Sequence, residues 1–333
     1  MTPAVTFLVP QGLRAVCWLL LVAAFSRPGL AAETAPAPGP STTKPAASAP
    51  APAPAPPTAA SASSTNDLAA SMEQVKQGNQ AFREGDRERA IAMFAKALET
   101  CPTNVMALYN RGRVSDNLGR YTNAMADYNR LLTLSPKNIG ATQLRGALHL
   151  RLGEFPAAIA DFDRYCELSP KAEPRHWQRG LAYYLAGRYP DAQRQFTRCL
   201  QSNSNDVENA IWHFLSVAKT NGVEKARAAL LPVGHDRRPF LNDVYDVYAG
   251  KLDADALMKK LEGAVAGHPE MEDSRFAVHY YLAQYFEVTG NAQRSLTLLS
   301  QAAQLKAVDS IMTDLAKLQL KQRMAKPGRP GAG

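Results

Sequence analysis

Residues 105–138 read VMALYNRGRVSDNLGRYTNAMADYNRLLTLSPKN, and this stretch decides the fold. Apolar residues recur at helical spacing from Val105 to Leu118, Gly119 interrupts them, and a second such run closes at Ser135-Pro136. Proline cannot continue a helix and biases the preceding residue away from helical backbone, so the stretch is a helix, a turn and a helix. The pattern repeats every 34 residues: Gly78, Gly112, Gly146 and Gly180; Gly85, Gly119, Gly153 and Gly187; Ala90, Ala124, Ala158 and Ala192; Phe94, Tyr128, Phe162 and Phe196. Pro102, Pro136 and Pro170 close the first three units, and Ser204 stands at that position in the fourth. Four units follow, 71–104, 105–138, 139–172 and 173–206. One hairpin buries too little surface to be stable alone, so stacking must supply the core, and the fold is all-α, a right-handed superhelical solenoid of helical hairpins.

The repeat columns carry local expectations. The first glycine and the alanine of each unit are placed where the two helices cross, because small side chains let backbones approach. The aromatic, one turn beyond the alanine on the same face, is expected to pack against the next unit. Pro156 and Pro190 fall at helix starts, where proline is tolerated. Beyond residue 206 the register decays while helical spacing persists. Helices are expected over 207–219, 225–231, 238–248 and 253–265, then a divergent hairpin over 276–305 turning at Gly290, and a capping helix over 308–323. Residues 207–323 are thus divergent repeats with a cap.

The flanks are different in kind. Arg14 precedes the apolar run Ala15–Phe25, Pro28-Gly29 break any helix, and Ala31-Ala32 offer small residues for cleavage. That order reads as a secretory signal over 1–32, and the 11-residue run falls short of the roughly 20 residues a membrane span needs. Cys17 sits early in the run, which argues against a lipid anchor. Residues 33–66 hold nine prolines and only two charges, Glu33 and Lys44, with no large apolar side chain to bury. They read as a disordered linker. Residues 324–333 read as a disordered basic tail. The net charge of +8 falls to +6 once Arg14 and Arg27 are removed with the signal. An exported protein, periplasmic or secreted, is the expectation. Cys101, Cys166 and Cys199 form no CxxC pair and are expected to act as small buried hydrophobes, with a Cys166–Cys199 bridge the lesser alternative.

The small residue, glycine turn, alanine, aromatic and proline columns resemble the tetratricopeptide repeat (TPR) family over 136 of the 333 residues. A second, narrower resemblance lies further on. Ala210-Ile-Trp-His-Phe-Leu215, the stretch from Val244 to Leu261, and His279-Tyr-Tyr-Leu-Ala-Gln-Tyr-Phe286 are similar in order and spacing to NlpI-type TPR lipoproteins of bacterial envelopes. That resemblance implies an all-helical, homodimeric periplasmic adaptor that gathers peptidoglycan hydrolases and a processing protease. The lipobox cysteine is missing here. The TPR resemblance also implies a concave groove lined by unit positions 2, 5, 9 and 12 of each first helix. These are Met72, Val75, Asn79 and Phe82; Met106, Tyr109, Arg113 and Asp116; Gln143, Ala147 and Leu150; Trp177, Leu181 and Tyr184. Tyr109, Arg113, Asp116, Gln143, Trp177, Leu181 and Tyr184 are the candidate partner-binding residues, since Tyr, Trp and Arg carry interface energy. The alternative for Trp177 and Tyr184 is packing against the neighbouring helix.

Catalytic patterns are missing. The six histidines form no HExxH, there is no GxSxG or P-loop, and Asp161 and Asp163, flanking Phe162, read as a solvated face. His213, on an otherwise apolar helix, reads as a hydrogen-bonded structural residue. No catalytic residue, cofactor, metal or small-molecule substrate is expected. The clamp by which chaperone-binding TPRs hold a terminal carboxylate lacks its cations: Asn79 and Asn110 fit it, but Val75, Gly140 and Leu144 stand at the three basic positions. No basic stripe suits nucleic acid. The sequence therefore reads as a non-enzymatic scaffold binding other proteins or peptides, with envelope enzymes as the implied partners. The alternatives are an assembly factor for a secretion, pilus or polysaccharide system, and a tethered spacer.

Overall fold

The computed structural model describes residues 65–265, 268, 271–305 and 310–325; the signal segment, nearly all of the linker and the tail from 326 onward lie outside them. Every regular element among the described residues is helical. Unit 1 pairs α1 (Thr65–Arg83) with α2 (Arg87–Thr100), unit 2 pairs α3 (Val105–Asn117) with α4 (Tyr121–Leu134), and unit 3 pairs α5 (Ile139–Leu152) with α6 (Phe155–Leu168). Unit 4 pairs α7 (Trp177–Leu185) with α8 (Tyr189–Ser202). The α1 helix starts six residues ahead of the first expected unit, taking Thr65 and Asn66 from the segment read as linker. In unit 4 a 3₁₀ turn, Pro170–Arg175, replaces the first turn of the expected helix. Pro174 disfavours α-helical backbone at Glu173, so α7 begins only at Trp177.

Each unit turns on its second glycine, at φ +86°, +71°, +78° and +76° for Gly85, Gly119, Gly153 and Gly187. The first glycines are closely approached. A Cβ on Gly78, Gly112, Gly146 or Gly180 would lie 2.6, 2.7, 2.7 or 2.7 Å from the ring of Phe94, Tyr128, Phe162 or Phe196 respectively. The aromatic column packs on the glycine of its own unit, sixteen residues earlier, and also reaches the following helices as the sequence suggested, the Phe162 ring lying 4.6 Å from that of His176 and the Phe196 ring 6.3 Å from that of Trp212. The alanines at the crossing are fully buried. Between units 1 and 2, Ser71 donates to the Ala97 carbonyl (2.7 Å), and Asn104 donates to Ser71 (2.8 Å) while capping α3.

A charged column runs beside the apolar one. Arg111 makes two bonds to Asp127 (2.9 and 2.7 Å), and Arg145 makes two to Asp161 (2.8 and 2.7 Å), with sixteen residues between partners. In unit 4 glutamine replaces the aspartate, and Arg179 binds both Gln195 (3.1 Å) and Asp163 of unit 3 (2.7 Å). Asp161 and Asp163 are therefore engaged in these pairs and do not form the solvated face the sequence suggested. The forked guanidinium needs two oxygens in one plane, which facing helices supply.

The second half continues with α9 (Val207–Asn221), α10 (Val223–Ala228), α11 (Leu241–Tyr248), α12 (Ala254–Val265), α13 (Glu272–Val288), α14 (Ala292–Gln304) and α15 (Ser310–Ala325). The expected 238–248 helix starts three residues late, at Leu241, and α15 absorbs Met324 and Ala325 from the expected tail. Gly290 turns α13 into α14 at φ +89°. Cys101, Cys166 and Cys199 are buried, with no Cys166–Cys199 bridge, and burial raises the thiols of the latter two to about 11. His213 is buried as expected, but its Nδ1 has no hydrogen-bond partner, contrary to the bonded role read from sequence.

His176 couples the fold to pH. Its Nδ1 accepts the Arg179 N–H (3.2 Å) and caps α7, so the proton sits on Nε2, which is buried without a partner. The ring lies 4.6 Å from that of Phe162 and 4.9 Å from that of Tyr165, and burial lowers its pKa to about 4. Burial lowers His213 and His279 as well. An unfolded histidine titrates near 6.5, so the unfolded chain takes up the proton first. The contribution is complete above about pH 6.5 and is lost as the pH falls toward 4, up to roughly 3 kcal/mol from His176. His176→Asn, which retains a capping oxygen, is expected to shrink the stability difference between urea unfolding at pH 7.5 and at 4.5; an unchanged difference contradicts the assignment. A second test concerns the crossing. Gly146→Ala forces a Cβ against Phe162 and is expected to cost about 1–3 kcal/mol in urea unfolding, with wild-type stability contradicting the packing described.

Candidate peptide-binding groove

The groove positions predicted from the repeat register divide into two sets. Leu181 is 0% exposed and Tyr184 6%, and both belong to the core. The Tyr184 ring lies 5.1 Å from that of Trp212 and 5.5 Å from that of Tyr189. Val75, Ala147 and Leu150 are buried too. For Tyr184, packing is thus its role in the fold. The other set is accessible. Met72 and Met106 are 41% and 47% exposed, and Ile139 at the start of α5 is also exposed. Tyr109, Arg113, Gln143 and Trp177 are half-buried. The Arg113 guanidinium sits 5.6 Å from the centroid of the Tyr109 ring. Gly140 leaves room for that ring, since a Cβ there would stand 3.0 Å from the Tyr109 hydroxyl.

The C-terminal half packs back on the array through α15. Its Asp314 accepts a hydrogen bond from the Tyr121 hydroxyl (2.6 Å) and lies 3.7 Å from the Arg151 guanidinium. Arg151 also binds Asp116 at 2.6 Å, so two carboxylates from α3 and α15 share one buried guanidinium on α5. Leu318 packs on Gly153, where a Cβ would meet its methyl at 3.0 Å. Further along, Tyr280 and Gln284 of α13 donate to Gln319 of α15 (3.1 and 3.0 Å), and Arg323 binds Glu287. Asp116 therefore holds the fold-back, buried beside Arg151. Burial raises its pKa, and the guanidinium opposes that rise.

Sequence reasoning missed α15 as a groove element, and nothing local in 310–325 signals a contact with Tyr121, 193 residues away. It also passed over Arg111, Arg145 and Arg179, although their 34-residue spacing was readable. The structure brings together Tyr109, Arg113, Met72, Met106 and Ile139 on the open part of the array. Trp177 lies apart, beside Trp212 and Tyr281 of the second half, where the three help to line a small cavity.

Fold and groove together define a helical-hairpin repeat scaffold. Residues 75–139 match the family model described as tetratricopeptide repeat. A tetratricopeptide repeat protein from Parabacteroides merdae is similar in structure, with 18% identity, TM-score 0.50, and coverage of 77% of this chain and 99% of its own. MamA from Desulfovibrio magneticus RS-1 is 18% identical over 47% of this chain and 89% of its own, at TM-score 0.44. The first TPR of Spaghetti, bound to an HSP90 peptide, is 22% identical over 36% of this chain and 94% of its own, at TM-score 0.33. No curated protein matches the chain in sequence. The repeats are thus TPR-like, of a kind that mediates protein–protein interaction.

Removing one carboxylate from the shared cluster tests the fold-back. Asp116→Ala removes the nearer of the two carboxylates paired with Arg151, and is expected to cost about 2–4 kcal/mol. Asp314→Ala, which leaves the 2.6 Å pair intact, is expected to cost less and to speed proteolytic cleavage of 310–325. Equal thermal stability of both variants and the parent contradicts the shared cluster.

Proposed function

We propose that this protein is an exported, non-enzymatic scaffold of a bacterial envelope, holding a segment of a wall hydrolase or processing protease on the face formed by units 1 and 2. The observation that carries the reading is the exposure of Met72, Met106 and, at the start of unit 3, Ile139 beside half-buried Tyr109 and Arg113, whereas Val75, Ala147, Leu150, Leu181 and Tyr184 are buried. Exposed flexible thioethers with an aromatic and a guanidinium suit a peptide with apolar anchors. Export is supported by the Arg14 and Ala15–Phe25 segment with Ala31-Ala32. The adaptor role is supported by the resemblance of 210–286 to NlpI-type proteins, which also raises a homodimer. No described helix is long and apolar enough to cross a membrane. A carboxylate clamp of the chaperone type is disfavoured by Val75, Gly140 and Leu144 at its cationic positions. A tethered spacer is the second reading, favoured by the Ala/Pro segment, which as polyproline would reach roughly 100 Å at about 3.1 Å per residue.

Affinity capture from envelope extract with the full chain, beside Met106→Asp with Tyr109→Ala, tests the scaffold. The expected result is recovery of wall hydrolases or a protease by the parent and at least a tenfold loss in the variant, about 1.4 kcal/mol or more. Identical recovery by both moves the site off this face. A deletion of 33–66 that abolishes function while capture persists favours the spacer.

A further inference from the structure

A cavity of about 70 Å³ opens among Trp177 of unit 4, Asp206, Glu208, Asn209 and Trp212 at the start of α9, Tyr281 of α13 and Met312 of α15. Its walls are of two kinds: three aromatic side chains, and three polar ones that present oxygen. Asn209 is only 5% exposed as a residue and lines the cavity, and its amide atoms are not among the buried ones left without a partner. An amide open to a cavity is free to bond what enters it.

The charge around the cavity is unbalanced. Arg238 lies among three carboxylates, Asp206, Glu208 and Asp236, so this cluster keeps two formal negative charges in excess. Both Glu208 oxygens already accept one bond each, from the Tyr281 hydroxyl and from Arg238, and Asp206 Oδ1 accepts the Glu208 N–H at 3.1 Å and faces Arg238 at 3.3 Å. Each Glu208 oxygen still has a second lone pair, whereas Asp206 Oδ1 already accepts two bonds and leaves Oδ2 as the oxygen to offer. The exposed Arg237 and His235 line the neighbouring opening with Asp206 and leave the inner cavity to the acids and the amide. Asp206 is itself held above the usual carboxylate range by burial and by Glu208, as expected for an acid short of cations.

We propose that this cavity is the seat for a lysine ammonium of a partner segment, its three N–H donors met by Asp206, Glu208 and the Asn209 carbonyl oxygen, and its positive charge facing the Trp177, Trp212 and Tyr281 rings. Aromatic walls with carboxylates recognise cations rather than anions or neutral amides. An ammonium is compact and has three donors free to rotate, whereas a guanidinium is a wider planar fork, so a space this small favours lysine over arginine. Trp177 holds groove position 5 of unit 4, and Glu208 would hold position 2 of a fifth unit counted from Val207. The proposal rests on the scaffold reading above and adds the chemistry of one residue in the bound segment.

The test uses no partner protein, so its failure is separable from failure of the scaffold. The full chain carrying Trp18→Phe leaves Trp177 and Trp212 as its tryptophans. It is titrated with Nα-acetyl-lysine N-methylamide while tryptophan emission is followed, beside the arginine and norleucine analogues. The expected result is a saturable change with the lysine compound, and binding about tenfold weaker for norleucine. Glu208→Gln and Asn209→Ala, shown still helical by circular dichroism, are expected to weaken the lysine compound about three- to tenfold. Leu68→Ala, at an exposed position on α1, is expected to leave it unchanged. Equal response to lysine and norleucine, tighter binding of arginine than lysine, or a cavity that holds only ordered water overturns the proposal. If the lysine compound binds and capture on units 1 and 2 fails, the cavity stands and the scaffold face falls.

Discussion

The whole array depends on a glycine lying against an aromatic ring sixteen residues later. In each of the four units a Cβ would approach the ring to 2.6–2.7 Å, closer than carbon atoms pack. Only a backbone without a side chain lets the two helices come together at that point, and the ring fills the space between them. The alanine column on the second helix completes the contact. The Arg111–Asp127 and Arg145–Asp161 pairs, at the same sixteen-residue spacing, bridge the same pairs of helices. An apolar lock thus holds each hairpin, a charged brace adds to it in units 2 and 3, and stacking repeats the hairpin along the chain.

The stack does not remain an open surface. Its second half folds α13 and α15 back, so that Asp314 reaches Tyr121 and Arg151, Leu318 reaches Gly153, and Tyr280 and Tyr281 close around Trp212. The buried aromatic cluster spans Tyr184, Phe196, Trp212, Tyr280 and Tyr281, joining unit 4 to the C-terminal helices. Coverage of this kind divides the array by role. Ala147, Leu150, Leu181 and Tyr184 of units 3 and 4 are spent on internal packing, while Met72 and Met106 of units 1 and 2 are exposed beside half-buried Tyr109 and Arg113.

That division explains what was legible beforehand. The glycine, alanine, aromatic and proline columns could be read because each position tolerates few residue types, and backbone geometry sets the choice. The turn at Gly119 and the close approach at Gly112 are such positions. Helix starts were less legible where proline intervened, as at Pro174, which delays α7. The spacing turned the rings toward the following helices, as Phe162 and Phe196 bear out, but did not disclose the glycine of their own unit lying against each ring. Counting groove positions from the register put Leu181 and Tyr184 among the partner-binding residues, but both are buried, Tyr184 against Tyr189 and Trp212. The acids Asp161 and Asp163 looked solvated because their cationic partners lie on other helices, sixteen residues away. The Asn209 cavity gave no signal at all, since its walls come from α7, α9, α13 and α15.

Hydroxyl-radical footprinting of the intact chain, read by mass spectrometry, tests the division most directly. The account predicts fast oxidation of Met72 and Met106 and slow oxidation of Tyr184 and of Met312 on α15, which are 6% and 5% exposed. Oxidation of Tyr184 and Met312 as rapid as that of Met106 would contradict it, because the groove of units 3 and 4 would then stand open.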